Sequence, residues 1–384
     1  MGKVSVIMPV YNSEGFVGPA IESIFLQTYR DIELIVVDDG SEDGTWNVIE
    51  RLQAQSPIPF RAIRHDKNMG VSAAKNSGIE RSSGKYLAFA AGDDLQKPNR
   101  IERTVKELDA GSDLDMVFFD CDMIDEEGRP LNRRKGYPQG MDSHNALLFQ
   151  LKRNHLLSGL VLLRNSPDVY FDPELPNAVD YELFLRLLIK GYNLKIIEDS
   201  LMYYRLHRSN ISGDGRKSKQ SVVKILSRLD LEQLLSSLSE RFGDAEARVA
   251  VASAALSADK PLEALKFLKS FSYGTDPLSL EARFILGVSL HRIGDYSGSL
   301  QAFREIVSYN PGEAAAFNNL GVQLALMKQI DQSKAYFNQA LLLREDYLDA
   351  QHNLKQLEDG NKDALRVTEK PLRPTFIHTV NYRL

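Results

Sequence analysis

The sequence predicts an α/β domain with a mainly parallel sheet, followed by an all-α domain of repeated helices. The first prediction rests on short β-branched runs that alternate with stretches of helical periodicity. The second rests on residues that recur every 34 positions in the second half of the chain. The 384 residues are enough for both domains.

Five short apolar runs are predicted as strands of the α/β domain. Helical spacing follows the first run at Val17, Ile21 and Ile24, and it precedes the last run at Ile101 and Val105. Strands that alternate with helices form crossover connections, so we expect a sheet covered on both faces, with ligands beyond the carboxyl ends of its strands. The five runs span residues 4–8, 32–37, 60–63, 86–89 and 116–119.

Composition excludes several classes of protein. A net charge of -5 gives no footprint for a nucleic-acid backbone. The single Cys121 excludes a disulfide framework and a multi-cysteine metal site, and we expect it to be buried. No apolar run approaches the roughly 18 residues of a spanning helix, and Met1 is followed at once by a strand-like run rather than by a signal peptide. We therefore expect a soluble, cytoplasmic protein without a membrane span.

The second half of the chain repeats itself with a period of 34 residues. Leucine recurs at 286, 320 and 354, glycine at 287 and 321, and phenylalanine at 303 and 337. This period resembles that of the tetratricopeptide repeat, whose arrays bind polypeptides or mediate dimerisation, so a protein partner or a homo-oligomer is expected. The predicted domains are 1–212, a helical linker at 213–244, repeats at 245–360 and a basic tail at 361–384. Within this scheme the polar segment 209–219 is interpreted as a linker or mobile loop.

Carboxylates follow two of the predicted strands, with Asp38 and Asp39 after one and Asp93 and Asp94 after another. Neither of the usual glycine-rich phosphate loops is present. Carboxylates repel a diphosphate unless they contact neutral hydroxyl and base groups or hold a divalent cation, which prefers oxygen ligands shared with substrate phosphates. The pattern therefore favours a nucleoside diphosphate bound together with Mn²⁺ or Mg²⁺.

Several short motifs in order resemble the family-two glycosyltransferases of GT-A fold, which are Rossmann-like. The resemblance covers roughly residues 3–212 and implies a nucleotide-sugar donor, a UDP-sugar, and an inverting hexosyltransferase. It is specific for the fold and hardly specific for the sugar. The motifs are PVYN at 9–12, VDDGS at 37–41, NMGVSAAKNSG at 68–78, GDD at 92–94, VDY at 179–181 and YRLHRS at 204–209.

The resemblance also implies roles for individual residues. Asp93 matches the metal-holding Asp of the family's D-x-D element, and Asp180 matches the general base. The first Asp of D-x-D is replaced by Ala91, so metal affinity is expected to be weak. The donor-binding residues implied are Pro9, Tyr11, Asn12, Asp39, Asn68, Asp94, His207 and Arg208.

Simpler structural roles are open for the same residues. Asp39, Asp93 and Asp180 are also suitable turn or helix-capping residues, and His207 is equally suited to a solvated loop. For the acceptor, a protein bound by the repeats is favoured because repeat arrays suit polypeptide chains, and a cell-surface polysaccharide or a lipid-linked saccharide is the alternative. Ala91 also keeps open a docking protein without turnover, and a nucleotidyltransferase is the weakest alternative because no basic phosphate loop is found near the N-terminus.

Overall fold

The computed structural model describes residues 2–207, 215–361, 364–372 and 377–379, and it leaves out the side chains of 215–217 and 377–379. The chain divides into two compact units, Met1–Val222 with Thr375–Leu384 and Val223–Pro374. The first unit is α/β and the second is helical. The predicted fold class is therefore confirmed.

The strands of the first unit form one mixed sheet. Its order is β10-β7-β6-β8-β4-β1-β2-β3, and β9 pairs with β5 and β6. The strands are β1 Val4–Val10, β2 Ile32–Asp38, β3 Phe60–Arg64, β4 Tyr86–Phe89, β5 Leu95–Gln96, β6 Met116–Ile124, β7 Pro130–Lys135, β8 Val161–Arg164, β9 Leu194–Arg205 and β10 Ile377–Thr379.

The half of the sheet predicted from the apolar runs is parallel. Strands β4, β1, β2 and β3 pair in parallel, and β1 and β2 are buried along almost their whole length. Such burial is expected where helices cover both faces. Strand β6 is longer than predicted and ends at Ile124 rather than Phe119. The sheet continues beyond β4 in antiparallel pairs through β8, β6 and β7.

This topology places several candidate residues at one edge of the sheet. The carboxyl ends of β4, β1 and β2 are adjacent because these three strands are neighbours. Asp93, Asn12 and Asp39 each follow one of these ends. The helices of this unit are α1 Glu14–Phe25, α2 Thr45–Ala54, α3 Val71–Glu80, α4 Arg100–Ala110, α5 Ala146–Lys152 and α6 Val179–Ile189, with a 3₁₀ turn at Ser158–Leu160.

The second unit repeats its geometry as well as its sequence. A Cβ added to Gly287 would lie 2.8 Å from the Phe303 ring, and one added to Gly321 would lie 2.5 Å from the Phe337 ring. Glycine thus allows the same close helix contact one period apart. The remaining helices are α7 Gly215–Ser227, α8 Leu231–Phe242, α9 Asp244–Ser257, α10 Pro261–Leu268, α11 Pro277–Arg292, α12 Tyr296–Tyr309, α13 Ala314–Leu326, α14 Ile330–Leu343 and α15 Leu348–Glu358.

The predicted loop at 209–219 is wrong in its last part. Residues 208–214 lie outside the described residues, but α7 begins at Gly215 and includes Lys219. Ile225 and Leu226 on this helix are buried, so apolar packing outweighs the polar composition at its start. Across the described parts of the chain, every helix is too short or too polar to cross a membrane.

Candidate functional site

The loops after β1 and β2 hold each other in place. The Asn12 amide donates to Ser41 Oγ at 2.9 Å, and Asn12 Oδ1 accepts from the Glu42 amide at 2.9 Å. Asn12 adopts a left-handed backbone with φ of 47°, which asparagine tolerates better than most residues. Tyr11, beside it, is exposed. Asn12 is therefore committed to the loop, while the Tyr11 ring is available to a ligand.

Pro9 lies inside a central strand without breaking a hydrogen bond. Ile7 accepts from Ala90 on the β4 side, and Val10 accepts from Asp39 on the β2 side. Alternation along the strand points Pro9 toward the β4 side. Strand β4 ends opposite Ile7, so it has no residue paired with Pro9. The missing amide hydrogen of Pro9 therefore costs no hydrogen bond between the strands.

Asp39 binds the segment that contains Asn68. Its Oδ1 accepts from the Met69 amide at 2.9 Å and from His65 Nδ1 at 2.7 Å, and its Oδ2 accepts from the Gly70 amide at 2.8 Å. A carboxylate has about four acceptor positions, so three of them are used within the protein. Asn68 itself is exposed. Asp39 thus positions this loop and keeps about one acceptor direction for a ligand.

Gly40 permits the close approach of the same loop. A Cβ at this position would lie 2.5 Å from the carbonyl carbon of Lys67, and φ is +72°. Only glycine combines this conformation with such a contact at no steric cost. The Asp-Gly sequence after β2 therefore seats the Lys67 and Asn68 backbone beside Asp39.

Asp93 pairs with His207. Asp93 Oδ2 lies 2.9 Å from His207 Nε2, and the two side chains are 26% and 7% exposed. The imidazole also stacks on Phe16, with ring centroids 4.9 Å apart. His207 is therefore packed against the protein rather than solvated. Arg208, its predicted companion, lies outside the described residues.

Asp94 is buried beside Asp93. Its Oδ1 accepts from the Arg205 amide at 2.9 Å, and the Arg205 side chain donates through Nε to the Asp93 carbonyl at 2.8 Å. Burial and the neighbouring charge of Asp93 raise the pKa of Asp94 to about 8, although Arg205 and Arg100 act in the opposite direction. The Asp94 carboxyl therefore keeps its proton to a higher pH than an ordinary aspartate.

Arg100 supports the region around Asp94. It is fully buried, and its Nη2 donates to the carbonyls of Phe89 at 2.9 Å and Val161 at 3.3 Å. Burial lowers the pKa of the guanidinium to about 9, against the favourable charge of Asp94. Arg100 therefore ties the end of β4 to the start of β8.

Asp180 lies in the first turn of α6 and is ion-paired. Its Oδ1 accepts from Lys75 Nζ at 2.9 Å, and its Oδ2 accepts from the Ser158 amide at 3.1 Å. Lys75 also donates to Ser158 Oγ at 2.8 Å and lies over the Phe171 ring. Burial raises the pKa of Asp180, but Lys75 and Ser158 outweigh it, so the pKa is lowered and the carboxylate stays ionised.

Asp180 is held at the same sheet edge as Asp93. Ser158 lies just before β8, which is antiparallel to β4, and it is therefore beyond the carboxyl end of β4. The Lys75 ammonium is 5.8 Å from the ring of Phe89, the last residue of β4. Asp93 follows Phe89 along the chain. The two carboxylates thus belong to one region rather than to separate parts of the sheet.

The donor atoms at Asp93 suit a cation shared with a substrate. No group of three or more His, Cys, Asp or Glu residues forms a metal cage in the part of the chain that the structure describes. Asp93 nevertheless offers a carboxylate oxygen, the kind of ligand that Mn²⁺ and Mg²⁺ prefer, with His207 Nε2 2.9 Å from it. Substrate phosphates and water commonly complete such a coordination sphere.

Four residues of the site were given no role in the sequence prediction. Lys75 and Arg205 both lie inside the motifs that carry the resemblance. Their positive charge within those motifs was a signal in the sequence that could have identified them. Ser158 and Arg100 lie outside the motifs and are revealed only by the antiparallel placement of β8.

Comparison with known proteins finds a family model that is similar to part of the chain. Residues 5–169 match the family model described as glycosyl transferase family 2. The match lies within the first unit. An uncharacterized glycosyltransferase of Methanocaldococcus jannaschii is 28% identical over 218 residues, which cover 56% of this chain and 75% of that protein.

Two further matches are a relative with a named activity and a solved structure. Chondroitin synthase of Pasteurella multocida is 27% identical over 192 residues, covering 48% of this chain and only 18% of that protein. The crystal structure of S. aureus TarS 1–349 is similar with a TM-score of 0.49 and 17% identity, covering 90% of this chain and 92% of that one.

Proposed function

We propose that the chain transfers a hexose from a UDP-sugar to an acceptor hydroxyl with inversion at the anomeric carbon. One observation carries the proposal: Asp180 is kept ionised by Lys75 at the sheet edge where Asp93 and His207 meet. A base for the acceptor and a group that anchors the diphosphate are what such a displacement requires.

Asp180 is the proposed base. Its carboxylate takes the proton of the acceptor hydroxyl while the acceptor oxygen forms its bond to the anomeric carbon. The bond from that carbon to the diphosphate oxygen breaks, and its electron pair leaves with the diphosphate. A single carboxylate that acts on the acceptor favours direct displacement, so the anomeric configuration inverts.

The leaving diphosphate lies toward Asp93 and His207 in this proposal. These two residues would hold Mn²⁺ or Mg²⁺, which when bound supplies Lewis-acid stabilisation of the departing charge. Pro9, Tyr11, Asn12, Asp39 and Asn68 would surround the nucleoside. The loops after β1 and β2 are locked together, and Asp39 binds the loop after β3 that carries Asn68. Asp94 supports the Asp93 backbone through Arg205 rather than contacting the donor directly.

For the acceptor we propose a hydroxyl of a cell-surface saccharide. The name of the Pasteurella relative, chondroitin synthase, concerns such a polysaccharide and supports this choice. A polypeptide acceptor is the second candidate. It is favoured by the helical second unit, in which asparagine side chains bind an extended stretch of chain.

The test is release of UDP from a panel of UDP-hexoses with Mn²⁺, and with EDTA as the control. We expect Mn²⁺-dependent release from at least one donor. UDP with Mn²⁺ should also raise the melting temperature, since a ligand at 100 times its Kd adds about 2.7 kcal/mol. Stabilisation without turnover would identify the docking protein instead. The absence of both stabilisation and turnover would exclude a nucleotide-sugar site.

A further inference from the structure

The His65 side chain joins Asp39 to helix α3. Its Nδ1 lies 2.7 Å from Asp39 Oδ1, and its Nε2 lies 2.9 Å from Ser77 Oγ. An ionised carboxylate only accepts hydrogen bonds, so Nδ1 carries the proton of the first contact. The side chains of His65 and Asp39 are only 10% and 5% exposed. The imidazole is therefore held at both of its nitrogens rather than solvated.

Packing fixes both ends of this bridge. The His65 amide donates to the Asp38 carbonyl at 2.9 Å, which continues the pairing of β3 with β2. At the other end Ser77 precedes Gly78, and a Cβ on this glycine would lie 2.4 Å from Ile7 Cγ2 on β1. Glycine thus allows α3 to lie close against β1. The backbone that carries Ser77 is therefore fixed relative to the sheet.

The bridge uses the acceptor capacity of one Asp39 oxygen. Oδ1 accepts from His65 Nδ1 and from the Met69 amide, and each carboxylate oxygen has about two acceptor positions. Oδ2 accepts from the Gly70 amide, which leaves about one of its positions for a ligand. Asp39 can therefore accept a single hydrogen from a ligand, through Oδ2, rather than two adjacent hydrogens through both oxygens.

A carboxylate with one available position distinguishes between nucleobases. The hydrogen-bonding edge of uracil presents one N–H group between two carbonyl oxygens. The corresponding edge of guanine presents two adjacent donors, the ring N–H and the exocyclic amino group, which pair with both oxygens of a carboxylate. If one oxygen is already occupied, guanine leaves a donor without a partner in a buried site, and this weakens binding.

We propose that His65 is a specificity-determining residue that favours a uracil nucleotide and rejects a guanine nucleotide. It acts by occupying Oδ1 of Asp39, so that the carboxylate cannot pair with two adjacent donors. Ser77 is a positioning residue that holds the imidazole in this place. The inference rests on the proposed function, because it takes Asp39 to face the nucleoside of the donor.

The test compares the binding of UDP and of GDP, each with Mn²⁺, by isothermal titration calorimetry. His65→Ala removes the imidazole and opens space beside Oδ1. His65→Asn is the matched control, because its amide nitrogen can take the place of Nδ1 and donate to the same oxygen. We expect wild type and His65→Asn to prefer UDP by at least about tenfold, and His65→Ala to bind the two within about threefold through tighter binding of GDP.

The outcomes separate this inference from the proposed function. An unchanged preference in His65→Ala, or a preference lost only through weaker binding of UDP, would overturn the role of His65 and leave the nucleotide site in place. A wild type that binds GDP as well as UDP, or a His65→Asn variant that behaves like His65→Ala, would also overturn that role. Binding of neither nucleotide by wild type would overturn the proposed function and this inference with it.

Nitrogen-15 NMR of the wild-type histidines gives an independent measurement if His65→Ala fails to fold. The chain has 7 histidines, so the spectrum is simple. The Nδ1 hydrogen of His65 should be protected from exchange, and it should stay protected when UDP saturates the site, because the base uses Oδ2. Loss of that hydrogen bond on binding of UDP would show that the nucleotide competes for Oδ1, and it would overturn the proposal.

Discussion

Asp180 and Asp94 are two largely buried carboxyl groups at one sheet edge whose pKa values are shifted in opposite directions. Lys75 and Ser158 lower the pKa of Asp180 against the effect of burial. Burial and the charge of Asp93 raise the pKa of Asp94. Since burial raises the pKa of both groups, the opposite directions come from the neighbouring groups.

We propose that this difference gives the two regions different tasks. An ionised carboxylate beside a lysine can accept a proton and return to its ion pair afterwards. The Asp93 carboxylate beside His207 offers a divalent cation an oxygen ligand of the kind that it prefers. In this proposal, removal of the acceptor proton and stabilisation of the leaving charge take place at separate points of one sheet edge.

The largest effect is expected for Asp180→Asn. The asparagine keeps the size and the hydrogen bond from Ser158 but cannot take a proton, so the rate of UDP release should fall by about 10²–10⁴-fold. Circular dichroism and the melting-temperature shift with UDP and Mn²⁺ should show a folded, donor-binding protein. A rate within a factor of a few of wild type would contradict the role of Asp180 as the base.

The second-largest effect is expected for Asp93→Asn, and it distinguishes the role of Asp93 from that of Asp94. Asp93→Asn should weaken the Mn²⁺-dependent stabilisation by UDP by at least about tenfold in apparent affinity, since even residues that only support a metal ligand contribute that much. Asp94→Asn resembles the protonated carboxyl and can still accept from the Arg205 amide, so its affinity should be close to that of wild type. Equal losses in the two variants would remove the distinction between them.

The third effect concerns the pH dependence of turnover. The folded pKa of Asp180 is lowered, so the wild-type rate should persist as the pH falls toward the normal range of an aspartate. Lys75→Met removes the positive charge and should move the acid limb of the pH–rate profile upward by about 1–3 pH units. Lys75→Arg keeps the charge and should leave that limb near its original position, so identical limbs in all three proteins would exclude an ion pair that controls Asp180.

The smallest effect on turnover is expected at Glu33, a structural carboxylate on β2 that accepts a hydrogen bond from Ser5 on β1. Burial raises the pKa of Glu33, but hydrogen bonds from Ser5, Lys3 and Ser83 outweigh it and lower the pKa to about 2. Its stabilisation is therefore present above about pH 4.5 and is lost as the pH falls toward 2, with a limit of about 3 kcal/mol.

Glu33→Gln tests whether this carboxylate affects stability without affecting turnover, in contrast to Asp180 and Asp93. Urea unfolding should show a lower free energy of unfolding than wild type at pH 7, and the two proteins should converge at pH 2. The rate of UDP release per folded molecule should stay unchanged. A reduced rate in the folded variant would mean that Glu33 acts on the site.

The sequence predicted the parallel half of the sheet because β1 and β2 are continuous apolar runs. It did not predict the antiparallel extension, since β7 is polar and exposed and carries no periodic signal. The helical linker was predicted from residue 213, but the interpretation of residues 209–219 as a loop was wrong from Gly215 onward, because helix formation there depends on the packing of Ile225 and Leu226 rather than on local composition.

The site, like the fold, was predicted where local sequence carries the signal and was not predicted where tertiary packing decides. Asp39 and Asp93 were singled out by their positions after strands, and Asp180 was predicted only through the resemblance to the family. Their partners were not, because Ser158 approaches Asp180 only through the register of β8 with β4. Side-chain partners that meet through tertiary pairing leave no spacing rule in the sequence.

The most direct measurement is the rate of UDP release as a function of Mn²⁺ concentration in wild type, Asp180→Asn and Asp93→Asn. We expect Asp180→Asn to lower the maximal rate with the half-saturating Mn²⁺ concentration unchanged, and Asp93→Asn to raise that concentration. Two variants that shift the same parameter by the same factor would contradict a division of labour between the two carboxylates.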